Sequence, residues 1–309
     1  MRQVTLEELL EAGCHFGHQV TRSNPKARDF IFEARDNIHI IDLAKTKQGL
    51  EEAAAFIKDL ASQNKTLIIV GTKRQAQGIV EEAFKKVSEK QASDGLFYIT
   101  NRWVGGLLTN FSEVSKNFEK LKTFTENLKD EELKTKYTKK EIGQWDKERQ
   151  KLERAYGGVS LIKGKPDALF IVDSHFEDLA VREAAKMSVP TVAIVDTNAD
   201  PNVIDYPIPA NDDAVGSIKL IVSYIIEAWL EGRKIGIKNQ ELRIKEEEKT
   251  KNIQEAKKTK TENKKTATTE AQKQSETLKK PETQKGKTAT TETQKKRKTL
   301  KTKDKNAGK

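Results

Sequence analysis

Ala168-Leu-Phe-Ile-Val-Asp173 and Thr191-Val-Ala-Ile-Val-Asp196, both inside the stretch from Pro166 to Pro201, decide the fold of this chain. Each is a short, unbroken apolar run closed by an acid. Runs without polar alternation suit strands buried on both faces, as in a parallel sheet covered by helices. Between them, Leu179, Val181, Ala184, Ala185 and Met187 are spaced for one buried helical face. Val189-Pro190 then restarts the chain in extended form. The stretch is a strand-helix-strand unit. Both strands end in aspartate, at the edge where open α/β sheets hold ligands, so the question it poses is enzyme or scaffold.

Working outward, Thr66-Leu-Ile-Ile-Val70 and Leu96-Phe-Tyr-Ile99 are further strands of the same kind. Leu50, Ala53, Ala54, Ile57 and Leu60 mark an amphipathic helix between Lys45 and Gln63. Gly71-Thr-Lys-Arg74 turns into another, carrying Ile79, Val80, Ala83, Phe84 and Val87. Upstream, Thr5 with Glu8 makes a capping box for a short helix from Leu6 to Ala12, stopped at Gly13. His15-Phe-Gly-His18 follows in a loop, and Phe30-Ile-Phe32 with Ile38-His-Ile-Ile41 form a hairpin. Downstream, Asp205-Tyr-Pro-Ile-Pro209 is too rich in proline for a central strand and is an edge strand or a loop. Asn211-Asp-Asp213 caps a helix from Ala214 to about Leu230, with Val215, Ile218, Ile221, Val222, Ile225 and Trp229 buried.

Two segments depart from this pattern. Phe111, Val114, Phe118, Leu121, Phe124 and Leu128 recur at spacings of three and four. After a polar break near Asp130 to Thr138, so do Ile142, Trp145, Leu152 and Tyr156, with Arg149 in the seam. Narrow seams on two helices predict an antiparallel α-hairpin over 111–156 with coiled-coil-like packing, inserted in the sheet and suited to touching a partner. The second segment is the C-terminal tail, 239–309, with no Phe, Tyr or Trp and a repeated Lys/Thr/Glu/Gln/Ala composition. It cannot bury enough apolar area to offset chain entropy and is expected to be disordered. The domain expected from the sequence is thus 1–238.

The formal net charge of +10 resides in that tail. Residues 239–309 hold 22 Lys and Arg against 11 Asp and Glu, which leaves 35 against 36 for the rest. A neutral body with a basic tail points to a polyanionic partner or to a solubilising appendage. Cys14 is the single cysteine, so no intramolecular disulfide forms, which fits a reducing compartment. No apolar stretch approaches the ~20 residues of a membrane span. Glu7, Glu8 and Glu11 replace the basic start of a signal peptide. A cytoplasmic protein is expected.

Four groups could carry chemistry. Gly71-Thr-Lys-Arg74 opens a helix after a strand, where a phosphate is favoured, or it is a plain turn with solvated bases. It lacks the glycines of a P-loop or a dinucleotide fingerprint. His15 and His18 beside Cys14 offer three metal ligands, one short of a closed zinc site, and packing histidines are the simpler reading. No metal or cofactor is expected. Asp173, Asp196, Asp200, Asp205, Asp212 and Asp213 could hold Mg²⁺, and an enzyme would be a Mg²⁺-dependent phosphotransferase built on Asp173, Asp196 and Asp212. Turns and caps want aspartate as well. In Asn101-Arg-Trp-Val-Gly-Gly-Leu-Leu-Thr-Asn110, Arg and Trp could stack on bases while the glycines admit close backbone approach, or Trp103 anchors the root of the hairpin.

Arg102-Trp-Val-Gly-Gly-Leu-Leu-Thr-Asn110 resembles the signature of the bacterial-type small-subunit ribosomal protein S-two family. His15-Phe-Gly-His-Gln19, Asn24-Pro-Lys26, Ile38-His-Ile-Ile41, Lys45-Thr46 and Val70-Gly-Thr-Lys-Arg74 follow its pattern in order. So do Thr138-Lys-Lys-Glu141, Pro166-Asp-Ala-Leu-Phe170, Ala193-Ile-Val-Asp-Thr-Asn198, Asp200-Pro201, Ile208-Pro209 and Asn211-Asp-Asp-Ala214. The resemblance covers residues 1–235. It implies a flavodoxin-like α/β domain with helices on both faces of a parallel sheet and an inserted coiled-coil hairpin. It implies a non-catalytic role: binding small-subunit ribosomal RNA, supporting assembly and translation, and contacting neighbouring small-subunit proteins, the largest, mRNA-binding one among them. No membrane and no small-molecule substrate are implied. Loop position makes Lys26, Lys73, Arg74 and Arg102 the expected RNA contacts on the body, and Lys116, Lys120, Lys122 and Arg149 those on the hairpin, with Trp103 packed. Cys14 and the length of the tail depart from the family pattern.

Overall fold

The computed structural model describes residues 2–89, 92–240 and 242; the tail expected from 239 otherwise lies outside them. Thr5 and Glu8 cap the first helix, Leu6–Glu11 (α1), reciprocally, as their spacing requires. Three short strands follow, Phe16–Gln19 (β1), Ile31–Arg35 (β2) and Ile38–Ile41 (β3), in an antiparallel sheet of order β1-β3-β2. The β2–β3 hairpin turns through Asp36 and Asn37, both at positive φ, where Asp and Asn are tolerated. β1 was expected as loop. Its four residues carry no apolar alternation, and only pairing with β3 makes it a strand.

The remaining strands, Leu67–Val70 (β4), Leu96–Ile99 (β5), Ala168–Ile171 (β6), Thr191–Val195 (β7) and Tyr206–Pro209 (β8), form one parallel sheet of order β5-β4-β6-β7-β8. That order is the doubly wound arrangement consistent with a flavodoxin-like fold, and its switch point lies between β4 and β6. Alternate residues of the apolar runs serve opposite faces. Leu67, Ile69, Phe170, Val192 and Ile194 pack with helices Leu43–Ser62 (α2), Arg74–Glu89 (α3) and 215–240 (α8). Ile68, Val70, Leu169, Ile171, Ala193 and Val195 face the other way, onto Asp178–Met187 (α7) and the loop carrying Trp103, Leu107 and Leu108. Both faces are dry, which is why the runs show no polar alternation.

Both outer edges are covered. The proline residues of β8, Pro207 and Pro209, sit at the alternate positions turned away from β7, where they have no N–H to offer. Their carbonyls meet α2. Thr46 Oγ1 donates to Pro209 O at 2.5 Å, and a Cβ at Gly49 would lie 2.5 Å from Pro207 O, so only glycine admits this approach. At the opposite edge, Gly158 lies so close to Tyr98 O of β5 that a Cβ there would come within 2.2 Å.

The inserted segment comprises Phe111–Asn127 (α4), Glu131–Lys136 (α5) and Lys139–Tyr156 (α6). The polar link is thus itself a short helix. α4 packs on α6 through Phe118, whose ring meets Phe111 and Tyr156 edge-on at 6.1 and 5.5 Å, with Asn117 donating to the Tyr156 hydroxyl at 3.1 Å. Val114, Phe118 and Leu121 of α4 are buried, whereas α6 has no fully buried residue.

Three expectations on helices need correction. On α7 the buried face is Ala180, Val181, Glu183 and Ala184, and Leu179 is 50% exposed. A buried carboxylate, described below, rotates the helix away from the purely apolar face. On α8, Val215 is 55% exposed at the first turn. That helix runs on through residue 240, well past Leu230, because Gly232 and Gly236 let it lie against the end of α2. Among the described residues no helix is long and apolar enough to cross a membrane.

Candidate functional site

Val70 pairs with both Ile99 and Ile171, so β5, β4 and β6 end level and their loops share one edge with those after β7 and β8. The predicted carboxylates meet here. Lys73, just after β4, sends its ammonium into them: Nζ lies 3.0 Å from Asp173, 2.8 Å from Asp212 and 2.6 Å from Asp213. Burial works against the charge on Lys73, but the hydrogen bonds and fields of Asp212, Asp213 and Asp173 outweigh it and hold the ammonium protonated well above its ordinary range. Burial and the charges of Asp173 and Asp196 push Asp212 up to about 7 against the pull of Lys73. Within Gly71-Thr-Lys-Arg74, Lys73 is thus an internal counter-ion, whereas Arg74 stays exposed.

His18 comes to the same cluster from β1. Its backbone N–H donates to Thr197 Oγ1 at 2.9 Å, and Nδ1 lies 3.2 Å from the buried Asp196 carboxylate. Hydrogen bonding to Asp196 raises the His18 pKa more than burial lowers it. His18, Asp196 and Asp212 each bring one ligand atom within 4.8 Å of the others, a nitrogen-and-oxygen set that with water would suit a divalent cation. The alternative grouping weighed from sequence, Cys14 with His15 and His18, is not the one that comes together here. Cys14 is buried, and the His15 ring lies against Phe16 at 4.0 Å. The other aspartates are structural: Asp200 Oδ1 caps the turn at Asn202, and Asp205 accepts from Thr191 N and Oγ1.

The Arg102–Asn110 motif folds around a residue that sequence reasoning missed. Glu183 of α7 accepts from the backbone N–H of Gly106 (2.7 Å), Leu108 (3.2 Å) and Thr109 (3.3 Å), and from Thr109 Oγ1 and Trp103 Nε1. Burial alone would raise its pKa, but those donors prevail and the net shift is downward. Gly106 stands at φ +93°, the turn that aims these N–H groups at one carboxylate. Trp103 is 3% exposed, packed and not available for stacking. A glutamate at a helical position normally read as solvated carried no signal.

Of the expected contact residues, Arg74 begins α3 and Arg102 follows β5, and both are exposed with no hydrogen-bond or ion-pair partner among the described residues. Lys26 is exposed at the same edge, its Nζ 2.5 Å from Asp200. On the inserted helices, Lys116 pairs with Glu113 and Lys122 with Glu126, while Arg149 is half-buried between Asp146 and Glu153. Lys120 is exposed and unpaired among the described residues. The structure thus brings Lys26, Arg74 and Arg102 to one edge and leaves Lys116, Lys120 and Lys122 on α4 and Arg149 on α6.

A family model described as Ribosomal protein S2 matches residues 9–232. The chain is 47% identical over 232 residues to the small ribosomal subunit protein uS2 of Geotalea uraniireducens, covering 75% of this chain and 88% of that one. It is 45% identical over 248 residues to the uS2 protein of Dictyoglomus thermophilum, covering 80% and 98%, and 46% identical over 233 residues to that of Petrotoga mobilis, covering 75% and 78%.

Proposed function

We propose that this chain, which belongs to the ribosomal protein S2 family, binds the ribosomal RNA of the small subunit and supports the subunit's assembly. Its relatives are ribosomal structural proteins of the small subunit and not enzymes, so the phosphotransferase reading of Asp173, Asp196 and Asp212 is set aside. The Lys73 ammonium among those carboxylates fits a scaffold, in which buried charges are matched internally.

Recognition works by shape and phosphate contact. The described body is close to neutral, so a few exposed cations must be placed where the RNA backbone runs. Lys26, Arg74 and Arg102 serve the carboxyl edge of the sheet, and Lys116, Lys120, Lys122 and Arg149 serve the hairpin. The hairpin is a coiled-coil arm that reaches a second stretch of RNA or a neighbouring subunit protein, including the largest, mRNA-binding one where a ribosome carries it. The working place is the ribosome in the cytoplasm. The observation that carries this reading is the family match, which spans nearly the whole of the described sheet, helices and arm. Sedimentation of a cell lysate through sucrose, probed for this chain at moderate and then high salt, tests it. Migration with small subunits and whole ribosomes at both salts is expected, and a chain that stays at the top of both gradients would overturn it.

A further inference from the structure

Phe176 is a large ring left 65% exposed, although the backbone that carries it is held on every side. Asp173 accepts from its N–H at 2.8 Å and from that of His175 at 3.0 Å. The next residue, Glu177, is buried and bonded to the Thr72 hydroxyl of the β4 loop. One turn on, Leu179 lies against Gly105, where a Cβ would come 3.4 Å from Leu179 Cδ2. The Phe176 turn is thereby tied both to the loop that leads into Arg74 and to the loop that contains Arg102. A lone exposed apolar residue is ordinary. This one is a flat ring on a fixed turn, at the edge where two arginines lack any acidic partner among the described residues. Neighbouring cations are matched, Lys73 by three aspartates and Arg182 by Asp178.

Resting on the RNA-binding reading above, we infer that Phe176 is a stacking platform for an unpaired base of the ribosomal RNA, with Arg74 and Arg102 holding the phosphates on either side of that nucleotide. A ring and free guanidinium groups fit an unstacked nucleotide, whose base offers a face and whose backbone offers charge. They do not fit a continuous duplex, whose base faces are already covered. The platform costs little ordering entropy because the turn is fixed before RNA arrives.

The test is filter binding of the full-length chain to small-subunit ribosomal RNA transcribed in vitro, across a salt series, with Phe176→Ala, Phe176→Tyr and Arg74→Gln variants. Phe176→Ala should weaken binding about tenfold, within the range for losing one base–aromatic stack, with the salt slope unchanged. Phe176→Tyr should bind as the unaltered chain does. Arg74→Gln should weaken binding and make the slope shallower by about one. On a fully paired RNA duplex, Phe176→Ala should have no effect. If Phe176→Ala binds ribosomal RNA like the unaltered chain while Arg74→Gln does not, the platform is wrong, the ring belongs to a protein contact, and the RNA reading stands. If the unaltered chain fails to bind ribosomal RNA even at low salt, the RNA reading itself falls.

Discussion

Two single residues hold more of this fold than their surface positions in the sequence would indicate. Lys73 is the shared counter-ion of Asp173, Asp212 and Asp213. Lys73→Met should therefore destabilise the body by about 3 kcal/mol or more, read from urea unfolding, because it strands buried carboxylates without a partner. A lysine that served only RNA would unfold no more easily when replaced. Glu183 gathers three backbone N–H groups, the Thr109 hydroxyl and the Trp103 indole. Glu183→Ala should cost about 2 kcal/mol, since each buried donor left unpaired carries a desolvation penalty. The pH dependence has a definite sign. The folded-state pKa of Glu183 is depressed, so its contribution is complete above the ordinary carboxylate value of about 4.3 and is lost as pH falls through the folded value. Unfolding midpoints of the unaltered chain and of Glu183→Gln should accordingly converge on acidification below about pH 4. Neither role was legible in sequence. The aspartates were visible at their strand ends, and so was Arg102-Trp-Val-Gly-Gly. That Lys73 would turn inward, or that Glu183 would answer the glycine turn, depends on elements about a hundred residues apart or on a helix rotated by one position.

At the scale of elements, legibility followed burial. β4, β6 and β7 are buried at every position, and their unbroken runs gave them away; α2 showed its face as plainly. β1, with no buried residue, and α5, in a polar stretch, left no such trace. The extension of α8 past Leu230 rests on glycines, which read as breakers until their close approach to Lys58 O and Ser62 O is known. The arm is the element whose behaviour should differ most from the rest. α6 buries none of its residues fully, and its contact with α4 runs through a few aromatic rings near the root. Few buried contacts mean a low free energy of local opening. Amide hydrogen exchange read by mass spectrometry should thus find residues 139–156 exchanging well before β4, β6 and β7. Equal protection would mean that the arm and the sheet open together.

For the whole molecule, the separation of charge matters more than its sum. A body with 35 basic and 36 acidic residues cannot attract RNA at long range, whereas residues 239–309, with twice as many bases as acids, can. A chain ending at residue 242 should show weaker affinity for small-subunit ribosomal RNA at low salt and a shallower salt slope, with the difference vanishing as salt rises. Identical slopes for the two chains would deny the tail any part in binding. The sheet's covered rims have a consequence of another kind. With prolines and α2 closing β8, and the Gly158 return closing β5, the rims of the parallel sheet offer a second copy little to pair with among the described residues. The five-strand sheet therefore ends within each chain instead of continuing into a second copy.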